Sequence, residues 1–330
     1  MVYRESVSSS KRIVFDASSH EEGELSLNDC LYAGLSLNPL IFYMLIFFRL
    51  NAAVILADIE KAFLQISLNE TDRNAVRFLF PSSNPAISEQ YDINIFRFCR
   101  VLFGVNASSF LLSATIKEHI KKYQELHPAT TNMLNECLYV DDFIGALDDV
   151  KSAFQMSDEA KKIMAEASMN LCKWSSNSKE LVQLWKDCGF ETHPIHSEAN
   201  LTANLHKVLG LPWHVHEDYI SVDLKDLLKF DGKESITKRI VLRSIGKLFD
   251  ILGFLSPYTI RLKCLLQDLW LRKCPWDTEL PPDIRQQFIQ WRSELSVISK
   301  LQVPRMILDS SLDDAKVLQI HVFSDASQRA

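Results

Sequence analysis

The sequence predicts an α+β fold in which helices back a small antiparallel sheet, and three observations lead to this prediction. A β-rich apolar run at 53–57 ends in an acid, Asp58. A second apolar run ends in the paired acids at 141–142 and continues at once as a return strand. Stretches with apolar residues at helical spacing separate these strands along a chain of 330 residues.

Short runs of β-branched and aromatic residues between turn signals predict the individual strands. These runs lie at 11–17, 53–57, 76–80, 94–102, 137–140, 143–147, 170–174, 208–213, 219–223 and 317–324. Apolar residues at helical spacing predict the helices. These lie at about 31–48, 107–126 and 151–169, and a mostly helical stretch follows over 236–300. We expect Pro39 to kink the first helix.

The composition excludes several classes of protein. With 47% hydrophobic residues the chain can bury a sizeable core, and no glycine-rich phosphate loop of either common pattern occurs. Seven cysteines without a CxxC pair indicate free thiols in a reducing compartment. The most apolar stretch, Leu40–Ala57, is interrupted by Arg49 and Asn51. We therefore expect a buried helix and strand there, since a membrane span needs about 20 apolar residues.

Charge is distributed unevenly along a chain whose net charge is −6. Residues 58–150 carry eight basic against 13 acidic residues, whereas residues 236–330 carry 14 against 10. An acidic centre followed by a basic C-terminal third is typical of a metal site beside a track for a polyanion. An equally good explanation of this charge distribution is that the charged residues lie on solvent-exposed helix faces. In the basic part, Arg239, Arg243 and Lys247 share one helix face.

Three acids stand at predicted strand ends. Asp58 ends the run AVILA, and Asp141 and Asp142 lie at the tip between LYV and FIGAL. Clustered carboxylates repel one another unless a cation neutralises them, and ligand sets made of oxygen alone suit Mg²⁺ or Mn²⁺. We predict that the three acids converge on two such ions, as in-line phosphoryl transfer requires. The alternative is a tight hairpin turn whose acids are structural.

Six further motifs occur in a fixed order along the chain. They are VFDAS (14–18), SLND (26–29), ADIEKAF (57–63), YVDD (139–142), KWSSN (173–177) and LGLPW (209–213), followed by SIGKLFDILGFLSP. In this order and wording the chain resembles the reverse transcriptase region of a BEL/Pao-type LTR retrotransposon Pol polyprotein, over about residues 11–330. YVDD alone is weakly specific, but the ordered set is strongly specific.

The resemblance implies a domain layout. Residues 1–175 would be the fingers and palm of a right-hand polymerase, and 176–235 the palm end with the primer grip and thumb. Residues 236–310 would be a helical connection region, and 311–330 the start of an RNase H-like domain with its first acid, Asp325. The implied activity is RNA-directed DNA polymerisation, in which two Mg²⁺ or Mn²⁺ ions support nucleotidyl transfer from dNTPs to a primer 3′-OH.

The same resemblance implies partners and a location. The partners are an RNA or DNA template–primer, dNTPs, and the protease, RNase H and integrase parts of the polyprotein, with no membrane. The location is the cytoplasm, in virus-like particles, with a nuclear stage allowed.

The resemblance also assigns roles to individual residues. The catalytic acids and metal ligands would be Asp58, Asp141 and Asp142, with the backbone of Ile59. The nucleotide site would consist of Arg12 and Lys11 at the triphosphate, Phe63 under the sugar, and Phe103 and Gly104 lining the pocket. Template–primer contacts would come from Lys173, Arg239, Arg243 and Lys247. Two alternatives stay open: Phe63 as a core residue and Lys173 as an exposed surface lysine.

The sequence departs from the family pattern in three places. The chain begins almost at KRIVFDAS, Leu102 replaces a proline before Phe103–Gly104, and the chain ends soon after VFSDAS. We therefore expect no RNase H activity and weak or no polymerase activity. The alternative is an inactive, truncated remnant that retains the palm fold and at most binds nucleic acid. Because no Asp-Thr/Ser-Gly triplet occurs, we do not expect an aspartic protease.

Overall fold

The computed structural model describes residues 14–82, 92–196, 205–228 and 235–308. It also gives the backbone of two paired strands, β1 (Val2–Tyr3) and β2 (Lys11–Arg12). The predicted strand at 317–324, with Asp325 beyond it, lies outside the described residues, as do the side chains of Lys11 and Arg12.

A four-stranded antiparallel sheet, which we call the central sheet, has the strand order β6–β7–β3–β8. Its strands are β3 (Ala53–Ile59), β6 (Leu138–Tyr139), β7 (Asp142–Leu147) and β8 (Leu171–Ser175). β3 pairs with β7 on one side and with β8 on the other, so the predicted acid-bearing strands lie side by side. The mixed α+β class predicted from the sequence is what the structure shows.

Both faces of the central sheet are covered, because the apolar run of β3 alternates sides with a period of two residues. Ile55 and Ala57 face a core built with three helices: α3 (Ser108–Ile120), α4 (Pro128–Cys137) and α5 (Val150–Glu166). Val54 and Leu56 face a second core, to which helix α2 (Ile41–Leu50) contributes. The central sheet is therefore fixed from both sides.

The predicted helix over 31–48 is wrong in its first half, up to residue 40. A short helix, α1 (Leu27–Cys30), is capped by Ser26, and the chain is then non-helical until α2 begins at Ile41. Pro39 disfavours helical backbone at the residue before it, so the helix begins only after the proline instead of being kinked by it. Among the described residues, none of the helices combines the length and the apolar character that a bilayer crossing requires.

Other boundaries also differ from the sequence prediction. The helix predicted at 107–126 ends at Ile120 and passes into one 3₁₀ turn, and α4 follows at Pro128 without having been predicted. The two strands predicted around the loop at 81–88 are present as β4 (Arg77–Pro81) and β5 (Ile93–Arg97), which form a two-stranded sheet with each other among the described strands.

The C-terminal half holds a second four-stranded antiparallel sheet and a helical unit. The sheet contains β9 (Leu205–Val208), β10 (Leu211–His214), β11 (Tyr219–Ile220) and β12 (Val303–Pro304). The helices are α6 (Lys179–Asp187), α7 (Lys225–Leu228), α8 (Lys238–Gly246), α9 (Ser256–Leu271), α10 (Pro282–Ser293) and α11 (Leu295–Ile298). Helices α7 to α11 share their own apolar core.

A fully buried arginine joins the end of the helical unit to the central sheet. Arg305 follows β12 and donates to both carboxylate oxygens of Asp218, at 2.7 and 2.9 Å. It also donates to the carbonyls of Phe48, Asn51 and Ala52, which connect α2 to β3. The charge of the guanidinium is thus paired and most of its donors are satisfied, as a buried ion requires.

Candidate active site

The hairpin between β6 and β7 turns on two residues. Tyr139 and Asp142 are paired across it, leaving Val140 and Asp141 as the turn. Val140 has φ +56°, a left-handed conformation that β-branched residues rarely adopt and that glycine normally supplies at this position of a hairpin. Strained backbone of this kind persists only where the surrounding ladder holds it, and it is frequent at functional sites.

The structure brings Asp58 and the Asp141–Asp142 pair together. Asp58 and Asp142 are directly opposite each other in the β3–β7 ladder, so their side chains leave the same face of the sheet. Asp58 is close enough to contribute to the raised pKa of Asp142. The backbone N–H of Ile59 donates to the Asp141 carbonyl at 2.8 Å, which holds the turn against β3.

The negative charge at this site is only partly compensated. Burial, together with the charges of Asp141 and Asp58, raises the pKa of Asp142 to about 7, although Lys173 acts in the opposite direction. Neighbouring carboxylates cannot all ionise without a free-energy cost unless a cation is present, so a large fraction of Asp142 is protonated near neutral pH.

Lys173 supplies the nearest positive charge. Its Nζ donates to Oδ2 of Asp58 at 2.7 Å, from a position on β8 beside β3. The two side chains are 27% and 34% exposed. Burial lowers the pKa of Lys173, but the hydrogen bond and the charge of Asp58 outweigh it and raise the pKa overall. The structure therefore places Lys173 within the acid cluster.

Carboxylate oxygens are the donors that a hard divalent cation prefers, and Asp58 and Asp142 face each other beside the Asp141 turn. Among the described residues, no three histidine, cysteine, aspartate or glutamate side chains are arranged to hold a metal ion. In this structure Lys173 occupies Oδ2 of Asp58.

Phe63 and Phe103 lie together after the end of β3. Phe63 is buried, in a 3₁₀ helix (Ala62–Gln65), and meets the Phe103 ring edge to face with centroids 4.8 Å apart. Gly104 has φ +101°, and a Cβ there would lie 1.8 Å from the carbonyl oxygen of Phe15. Only glycine fits, and the close approach that it permits is to the backbone at 14–18.

The basic face predicted on α8 is largely ion-paired. Arg239 binds both oxygens of Asp277, at 2.7 and 2.9 Å, and Lys247 contacts Asp226 at 3.3 Å. Arg243 is exposed, and within the described residues its side chain has no ion pair. Exposed pairs of this kind contribute little free energy, so phosphate groups could replace the carboxylates.

Two histidines close to the acids were missed by the sequence reasoning. The rings of His193 and His206 lie 4.6 Å apart. Burial lowers the pKa of both, to about 4 for His206, and the charges of Asp58 and Lys173 also act on them. Both imidazoles are therefore neutral near pH 7. The clustering of histidines was visible in the sequence, but the proximity of this pair to Asp58 depends on the fold.

Comparison with known proteins adds two findings to this geometry. Residues 237–330 match the family model of the Pao retrotransposon-like RNaseH-like domain. The described part of that segment consists of α8 to α11 and β12, and the remainder, with Asp325, lies outside the described residues. No curated protein matches the chain.

Among solved structures, the chain is similar to the foamy viral protease-reverse transcriptase dRH in complex with ds DNA. The TM-score is 0.56 at 13% identity, over 88% of this chain and 42% of that chain. The fold is related to retroelement Pol proteins. At this identity the likeness concerns the fold, and the chain spans less than half the length of that relative.

Proposed function

We propose that the chain is an RNA-directed DNA polymerase region of a retrotransposon Pol polyprotein. It would transfer a nucleotidyl group from a dNTP to the 3′-OH of a primer held on an RNA or DNA template. The observation that carries the proposal is the register of β3 and β7, which sets Asp58 opposite Asp142 and next to the Asp141 turn. The ds DNA in the foamy viral relative and the Pao-type match of residues 237–330 support it.

Asp58, Asp141 and Asp142, with the backbone of Ile59, would hold two Mg²⁺ or Mn²⁺ ions. When bound, the ions supply charge neutralisation for in-line phosphoryl transfer. The protein's own contribution is a rigid carboxylate set, because each acid is fixed by strand pairing or by the hairpin turn. Asp142 would lose its proton on loading, since a cation removes the repulsion that raises its pKa.

Lys173 would change partner during loading. In this structure its ammonium compensates Asp58 at 2.7 Å. Once released, it is positioned to bind a phosphate oxygen of the incoming nucleotide or of the template, with a charge-assisted hydrogen bond. Phe63, supported edge-on by Phe103, would lie below the sugar and exclude a 2′-OH. Arg12, Lys11 and the α8 face would contact the triphosphate and the nucleic acid backbone.

The test is primer extension by the purified chain on poly(rA)–oligo(dT) with dTTP and either Mg²⁺ or Mn²⁺. We expect extension that is abolished in Asp141→Asn. The matched control is Asp148→Asn, an exposed acid just beyond the other end of β7, which should extend like the unmodified chain. Extension that survives in Asp141→Asn, or its absence in the unmodified chain, would contradict the proposal.

A further inference from the structure

Asn28 connects three segments that are distant in sequence. It lies in α1, and its backbone N–H donates to the Ala17 carbonyl at 2.9 Å. Its side-chain Nδ2 donates to Oγ of Ser18 at 2.9 Å and to the carbonyl of Gly104 at 3.1 Å. Both donors of the amide group are therefore used, one on each neighbouring segment.

The acceptor side of Asn28 is used as well, by Asn106. The backbone N–H of Asn106 donates to Oδ1 of Asn28 at 2.9 Å, and its side-chain Nδ2 donates to the Asn28 carbonyl at 2.8 Å. Asn106 thus donates two hydrogen bonds to Asn28, one to its side chain and one to its backbone. Together with the Gly104 contact, these bonds close the loop at 102–106 onto the loop at 14–18.

This contact fixes the position of Phe103. The backbone N–H of Phe15 donates to the Phe103 carbonyl at 3.0 Å, and Gly104 lies against the carbonyl of Phe15. Asn28 holds the following residues, so the chain is restrained on both sides of Phe103. The Phe103 ring in turn supports Phe63, five residues beyond Asp58.

We infer that Asn28 is a positioning residue for the incoming nucleotide. It would hold the loop that carries Phe103 and Gly104 in the position required for contact with the base and sugar of the nucleotide. Asn28 would act through those residues and would not touch the reacting atoms. The inference rests on the proposed function. It gives a role to the motif SLND, for which the sequence analysis named none. Asp29 of the motif caps α1 together with Ser26, while Asn28 links the loops at 14–18 and 102–106.

The experiment measures KM for dTTP and kcat on poly(rA)–oligo(dT) in Asn28→Ala and Asn28→Asp. The first variant removes every side-chain bond. The second keeps the Oδ1 acceptor for Asn106 but loses both N–H donors of the side-chain amide. It tests the inference if the alanine variant does not fold. We expect KM to rise by about tenfold in each, the order expected for one or two lost hydrogen bonds, with kcat changed by less than about twofold.

Ser18→Ala is the matched control, because it removes one acceptor of Asn28 and leaves the Gly104 and Asn106 contacts in place. We expect its KM to equal that of the unmodified chain. Asn106→Ala should raise KM in the same direction as Asn28→Ala, and the double variant should show less than the product of the two effects, since both break one network.

Two contrary results are distinguishable. Extension by the unmodified chain with an unchanged KM in both Asn28 variants would overturn the inference alone, as would a fall in kcat at constant KM. No extension by the unmodified chain would overturn the proposed function and the inference with it. Circular dichroism on each variant confirms that a change in KM is measured on folded protein.

Discussion

Asp58, Asp142 and Lys173 share a charge balance that decides how the site behaves without metal. Burial and the charges of Asp141 and Asp58 raise the pKa of Asp142 to about 7. The Lys173 ammonium contacts Asp58 at 2.7 Å. The arrangement is one in which a divalent cation can take over the neutralising role of a proton and an ammonium.

The raised pKa predicts a pH-dependent stability in the absence of divalent ions. In the unfolded chain Asp142 ionises near pH 3.8, whereas in the folded chain it stays protonated to about pH 7. Its contribution is therefore fully present below pH 3.8 and is lost as the pH rises through 7, on the order of 4 kcal/mol in all. Urea unfolding at pH 5 and pH 8 should show this loss, and Asp142→Asn should remove it. An equal pH dependence in Asp142→Asn would contradict the assignment.

Phe63 belongs to the core and also lies next to the proposed nucleotide site, so its replacement should have two effects. Phe63→Val should raise ribonucleotide incorporation relative to deoxynucleotide incorporation, because the ring no longer opposes a 2′-OH. It should also lower the free energy of unfolding by about 1–3 kcal/mol. Phe190→Val, in the same core but packed against Trp174 and Trp185 instead of Phe103, should cost similar stability and leave the UTP-to-dTTP ratio unchanged. An unchanged ratio in Phe63→Val would leave Phe63 a core residue only.

Among the elements, the β6–β7 hairpin shows local strain. Val140 at φ +56° costs roughly 1 kcal/mol relative to a residue that tolerates left-handed backbone. Val140→Gly should therefore leave the melting temperature unchanged or raise it. The same substitution at Val297, an exposed position in α11, should lower it, because glycine weakens a helix. Destabilisation by Val140→Gly beyond that of Val297→Gly would show that the valine side chain stabilises the turn.

The elements that could be predicted from the sequence are those whose position is set by their pattern of apolar residues. β3 and the β7 hairpin carry continuous apolar runs with acids at their ends, and both were predicted nearly in place. α4 was missed because its buried face begins with two polar residues, Thr130 and Thr131. Their hydroxyl groups can be buried because they donate hydrogen bonds to Glu159 and to the His127 carbonyl. The start of α2 was missed because the effect of Pro39 on the preceding backbone outweighed the apolar pattern.

The positions of the acids in the candidate site could be predicted from the sequence, but the residues that surround them could not. Strand-end positions are sufficient to place Asp58, Asp141 and Asp142 together. The contact of Lys173 with Asp58 requires β8 to pair beside β3, and the links of Asn28 join residues up to 78 positions apart. Local sequence patterns carry no signal for such pairings, since they depend on the complete fold.

At the scale of the whole molecule, Arg305 connects the end of the helical unit to the central sheet. Arg305→Met should lower the free energy of unfolding by about 3–5 kcal/mol, since it leaves the buried side of Asp218 without its cation. The exposed pair of Arg239 and Asp277 is the control, and Arg239→Met should change stability by less than about 1 kcal/mol. Urea unfolding measures both. Equal effects would show that the buried pair does not hold the two parts together.

The most direct test of the polymerase assignment is a single-nucleotide incorporation on an RNA template of defined sequence, followed by gel electrophoresis of the primer. The account predicts that the purified chain adds only the dNTP complementary to the first template base, in the presence of Mg²⁺ or Mn²⁺, and that Asp58→Asn adds none. Addition that ignores the template base, or that persists in Asp58→Asn, would contradict it.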